Sequence, residues 1–82
     1  MVMGSSPPTL DLHGLRHDQV EHQVHQFLHD NRETMPCKII VGMSDVMLRL
    51  VHNVLDEMKL FSHIERFQNP GCLVIYEKKW WD

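Results

Sequence analysis

Between Leu10 and Val41 the apolar residues change their spacing twice, and that change limits the folds open to the chain. In Leu10-Asp11-Leu12-His13 they alternate, which places the leucines on one face of a short strand over 10–13 and Asp11 with His13 on the other. Gly14 and Leu15 then turn the chain. Val20, Val24, Phe27 and Leu28 return at helical spacing, predicting a helix from His17 or Asp18 to Asn31, with Asp18 as N-cap or first-turn acid and Asn31 as its stop. After a polar connector over 32–36, Cys37-Lys38-Ile39-Ile40-Val41 reads as a strand inside a sheet. Strand, helix and strand in this order form a right-handed crossover that leaves the two strands parallel.

The second half follows the same logic. Gly42-Met43-Ser44 turns the chain, and Ser44 caps a helix over 45–59 whose core stripe is Met47, Leu50, Val51, Val54, Leu55 and Met58. A strand over 63–67, a turn at Asn69-Pro70-Gly71 and a strand over 72–77 complete the pattern as an antiparallel pair. The predicted fold class is α/β: a two-layer sandwich in the order β-α-β-α-β-β, with a four-stranded mixed sheet and both helices on one face. Residues 10–82 form one domain behind a flexible tail over 1–9, and Trp80 and Trp81 either fold back or hold a partner. Parallel strands end along the same sheet edge, so the rim at 11–14 and the loop at 42–44 become neighbours, on the edge where open α/β sheets bind ligands.

Charge enters when partners are considered. Eight Lys and Arg stand against 11 Asp and Glu, a net charge of −3, which weighs against tight nonspecific binding to nucleic acid. The seven histidines soften this balance in mild acid. No apolar run approaches the roughly 20 residues of a membrane span, and residues 1–8 carry neither a basic nor an apolar leader region. A monomeric cytoplasmic protein with no membrane partner is the expectation, with Cys37 and Cys72 as buried thiols. His22, His25 and His29 fall on the solvent side of the first helix, read as a solvated polar face. A pair such as His25 and His29 can take zinc, copper or nickel adventitiously, but no metal site is assigned there.

The Leu10-Asp11-Leu12-His13-Gly14 strand end resembles the small MutS-related (Smr) domain family, which is marked by L-D-L-H-G and by a later T-G-x-G loop after its second strand. In the corresponding Val41-Gly42-Met43-Ser44, only Gly42 is kept of the three defined positions. The resemblance covers residues 10 to about 76. It implies a two-layer sandwich, similar to the C-terminal domain of bacterial translation initiation factor three, that binds nucleic acid, in a family associated with nicking of DNA or endonuclease cleavage of RNA; the leading expectation is binding of structured or branched DNA or RNA. By position it puts the family's acid and histidine on Asp11 and His13 and its glycine loop on Gly42.

The chemistry of these residue types is compatible with that role. His13 can act as general acid or base, and Asp11 can orient the imidazole or ligate a metal. Gly14, Arg16, Gly42, Met43 and Ser44 are the candidate nucleic-acid contacts, with phosphate resting on the amides at the start of the second helix. Attack by an RNA 2′-hydroxyl needs no cofactor, whereas activated water calls for a divalent metal. Three departures oppose the reading: Val41 replaces a hydroxyl residue, Ser44 a glycine, and Asp45 adds negative charge. The alternative is a noncatalytic protein-interaction module with a degenerate phosphate loop. In it Asp11 caps the turn, His13 bonds backbone, and both glycines serve turn conformation.

Overall fold

In the computed structural model, residues 7–66 and 69–77 are described; the expectations for residues 1–6, Phe67 and the tryptophan end at 78–82 lie outside them. The elements are β1 (Thr9–Asp11), α1 (His17–Asp30), a 3₁₀ turn (Arg32–Thr34), β2 (Cys37–Ile40), α2 (Asp45–Met58), β3 (Phe61–Arg66) and β4 (Asn69–Tyr76). They form one four-stranded sheet in the order β1-β2-β4-β3. β1 runs parallel to β2, and β4 runs antiparallel to both β2 and β3. This is the mixed sheet expected from the order of periods.

Both helices cover one face. Leu12 at the end of β1, Cys37 and Ile39 of β2, and Leu73 and Ile75 of β4 join Val20, Val24 and Leu28 of α1 and Met47, Val51, Val54 and Leu55 of α2 in a single core. The register explains this choice, because Ile39 pairs with Leu73 and Cys37 with Ile75, so each pair points the same way. Each fully buried aliphatic side chain contributes about 1.5–3 kcal/mol, and this short chain depends on every one. The opposite face carries Lys38, Ile40, Val74, His63, Phe61 and Tyr76, with the Phe61 and Tyr76 rings stacked at 5.9 Å.

Cap chemistry sets the helix ends. Asn31 closes α1, its Nδ2 donating to the Phe27 carbonyl at 2.8 Å. At the start of α1 Arg16 is the cap residue without a side-chain bond, and Asp18 acts as a first-turn acid rather than an N-cap. Ser44 Oγ accepts from the Met47 amide at 3.1 Å and so caps α2 as expected. Lys59 ends α2 in the left-handed region at φ 58, with Leu60 N–H donating to the Leu55 carbonyl at 2.9 Å. A side chain held there costs about 1–2 kcal/mol, more than the roughly 0.5–1 kcal/mol of extra chain entropy that glycine loses on folding. Lys59→Gly is therefore expected to raise stability by about 0.5–1 kcal/mol, measurable as a higher midpoint in urea unfolding.

Several boundaries differ from the sequence reading. β1 stops at Asp11, and His13 belongs to the following turn, although Leu12 N–H still pairs with the Ile40 carbonyl at 2.9 Å. Lys38 N–H donates to the Pro8 carbonyl at 2.8 Å, so the paired backbone begins before Leu10. The largest difference is at Asn69-Pro70-Gly71, which is not a turn but the first part of β4. The Gly71 carbonyl faces β2, where it accepts from Val41 N–H, so the missing N–H of Pro70 faces β3, at the shift of register between Ile64 and Arg66. β3 correspondingly starts at Phe61, earlier than His63, and pairs Phe61 with Tyr76.

Candidate functional site

The first loop is built by two nested turns. Leu15 N–H donates to the Leu12 carbonyl at 2.9 Å, closing a turn through His13 and Gly14. Gly14 takes φ +88, the positive value required at the third residue of such a turn, and a Cβ there would meet nothing within 4 Å. The glycine is required by conformation alone. Inside this turn the His13 amide donates to Asp11 Oδ1 at 2.9 Å. Asp11 therefore holds the backbone that presents His13, and both side chains remain exposed. Among the described residues no hydrogen bond joins the Asp11 carboxylate to the His13 imidazole.

The second loop reaches the first through Gly42. Its φ is +67, and a Cβ built on it would lie 4.0 Å from Cδ2 of His13, so the ends of β1 and β2 meet at one rim. From the other side comes Gly71 of β4, whose carbonyl accepts from Val41 N–H at 2.7 Å and from Gly42 N–H at 3.3 Å. A Cβ on Gly71 would sit 2.8 Å from the Gly42 carbonyl oxygen and 2.9 Å from its Cα. No side chain fits there without moving backbone. Gly71 is the structural residue that the sequence reading missed; its signal was a glycine directly ahead of the apolar run of β4, which was assigned to a turn.

Beyond Gly42 the loop carries mixed signals for an anion. Val41, Gly42, Met43, Ser44, Asp45 and Leu48 line a hollow of about 150 Å³. Val41 and Gly42 spend their amides on β4, and Ser44 Oγ engages the Met47 amide. What remains is the rest of the first turn of α2, with the Asp45 carboxylate beside it. Met43 projects from the loop with 88 % of its surface exposed.

Arg16 follows the first loop, its Nε 3.4 Å from Asp18 Oδ1. Both partners are largely exposed, and such a pair is worth at most about 1 kcal/mol, so a phosphate can displace Asp18. The fixed charges at the rim are the carboxylates of Asp11, Asp18 and Asp45 against the guanidinium of Arg16. Among the described residues no group of three or more His, Cys, Asp or Glu side chains is placed to hold a metal ion. Both cysteines are buried thiols, and burial pushes Cys37 up to about 11, which keeps it protonated and unreactive at neutral pH.

The fold and rim define a small α/β sandwich with a histidine loop and a glycine loop joined at the carboxyl ends of two parallel strands. The Smr domain profile matches residues 10–71, from the leucine that opens β1 to the glycine that supports the second loop. The chain belongs to the Smr domain family. No curated protein and no solved structure matches it. No helix among the described residues is long and apolar enough to cross a membrane.

Proposed function

We propose that this Smr domain binds structured or branched DNA or RNA along the rim of the two loops and cleaves a phosphodiester there, with His13 as general acid or base. The observation that carries the reading is the approach of the His13 ring to Gly42, 4.0 Å from where a Cβ would stand. This approach supports the reading because an imidazole, a side chain able to transfer a proton, stands beside the loop leading into α2, and the amide donors and dipole of a helix start attract phosphate. In the reaction the imidazole takes a proton from the attacking hydroxyl or gives one to the leaving oxygen. Asp11 acts as a positioning residue through the amide of His13, and Arg16 holds a phosphate oxygen after leaving Asp18.

A titration of hairpin RNA and branched DNA tests the binding step. Affinity is expected at low salt and should fall linearly on a log–log plot as salt rises, because phosphate contacts release counterions. Absence of binding at low salt overturns the proposal. Product ends then identify the nucleophile: a 2′,3′-cyclic phosphate marks attack by the neighbouring 2′-hydroxyl, and a 5′-phosphate that disappears with chelator marks metal-activated water.

A second reading, the noncatalytic protein-interaction module, is favoured by one specific observation: the acidic second loop, with Asp45 in the first turn of α2. The two readings separate on Asp45→Asn. If phosphate sits at this turn, removing the charge tightens low-salt nucleic-acid binding by about two- to fivefold, since a charge in a first turn is worth about 0.3–1 kcal/mol. If the module is noncatalytic and binds protein, the substitution leaves nucleic-acid binding absent.

A further inference from the structure

Helix α1 turns a second set of imidazoles away from the core and away from the rim. Val20, Val24 and Leu28 are buried, and on the opposite side Glu21, His22, His25, Gln26 and His29 line one surface hollow of about 460 Å³. All three imidazoles are exposed. Among the described residues none of them enters a hydrogen bond or ion pair, whereas Gln26 is turned aside to the Asp30 carboxylate at 3.2 and 3.3 Å. His25 lies about 12 Å along the axis from His17, the first residue of the helix, at 1.5 Å per residue. This group is independent of His13.

We propose that His25 and His29 form a two-nitrogen chelate for a divalent transition ion of the nickel, copper and zinc class. Residues four apart on a helix carry their Cβ atoms about 5–6 Å from one another, stacked on one ridge, so two imidazoles converge on an ion at about 2.0–2.1 Å from each nitrogen. The helix is already formed and anchored by its buried face, so no backbone ordering opposes binding. Imidazole nitrogen suits these ions, whereas magnesium prefers oxygen ligands. His22 neighbours His25 on the same side of the helix but stands seven residues, about 10.5 Å of axial rise, from His29, so it lies beyond the ion that His25 and His29 share. Two protein ligands leave the other coordination positions to water, consistent with the lack of any larger ligand group among the described residues. Each ring donates a lone pair in its neutral form, and a protonated ring first releases its proton to solvent.

The test is a titration of the full, tag-free chain with NiCl2, followed by calorimetry and by paramagnetic broadening of backbone amide signals. The expected result is one nickel per chain with broadening centred between His25 and His29, and no competition from MgCl2. Loss of even a supporting partner of a metal ligand costs about 10–100-fold in affinity, and loss of a ligand costs no less. His25→Gln and His29→Gln should each weaken nickel binding at least that much, while His22→Gln leaves it near the starting value. All three positions are exposed, so the variants keep the fold, which the amide spectrum verifies in the same samples. Broadening centred on His13 or His17, or equal affinity in the His25→Gln chain, overturns the proposal. None of these outcomes depends on nucleic-acid binding at the rim.

Discussion

His13→Ala is expected to lower strand scission by about 10²–10⁴-fold, the usual contribution of a positioned general acid or base. The residue is exposed, and surface substitutions of this kind stay within about 0.5 kcal/mol in stability, so unfolding midpoints should be unchanged. Nucleic-acid affinity should hold as well, because the proposed phosphate contacts are Arg16 and the amides at the start of α2. The informative measurement is thus single-turnover cleavage at saturating protein, beside a binding curve on the same substrate. Full cleavage by a folded His13→Ala chain removes this residue from the chemistry. Asp11→Asn provides the companion experiment. An amide oxygen still accepts from the His13 amide, so Asn should keep most of the activity that Ala at the same position loses.

Gly71→Ala is expected to be the most damaging small substitution in the described fold. The added Cβ would stand 2.8 Å from the Gly42 carbonyl oxygen, 2.9 Å from Cα and 3.1 Å from the carbonyl carbon. All three are backbone atoms, and no rotamer change relieves them. Overpacking of this kind costs about 1–3 kcal/mol, a large part of the stability of an 82-residue chain. Relief requires the Gly42 loop to move away from β4, lengthening the bonds from Val41 and Gly42 to the Gly71 carbonyl. Denaturant unfolding measures the loss, and amide chemical shifts of Gly42, Met43 and His13 should move together. Gly14→Ala separates space from conformation: its Cβ meets no atom within 4 Å, and its cost arises from φ +88 alone.

The course of the chain was legible because its signals were local. Two changes of hydrophobic period, a serine ahead of α2 and an asparagine after α1 led to the correct order of elements and to the helix-covered face. The meeting of the two loops followed from parallel pairing alone. Asn69-Pro70-Gly71 misled because Pro and Gly have strong turn preferences that tertiary context overrode. Pro70 turns its missing N–H toward β3 where the register shifts between Ile64 and Arg66, and Gly71 is needed for its lack of a side chain rather than for a turn. At the site, strand alternation showed that Asp11 and His13 share a side. It did not choose between orienting the imidazole and capping the turn, and the observed bond from the His13 amide to the Asp11 carboxylate is the capping contact of the alternative reading. The pairing of Arg16 with Asp18 was equally invisible, since two exposed side chains choose among many rotamers.

The brevity of β1 bears on how copies of this domain meet in concentrated solution. An outer strand offers its unpaired backbone groups to any passing chain, and long flat edges seed intermolecular sheets. Here one outer strand has three residues, is preceded by Pro7 and Pro8, and ends where Asp11 folds the backbone over. Among the described residues, that border offers little template for growth. The other border, β3, is six residues long and interrupted by a shift of register between Ile64 and Arg66. Among the described residues, a lysine in place of the exposed Ile64 on this strand would oppose edge-to-edge aggregation.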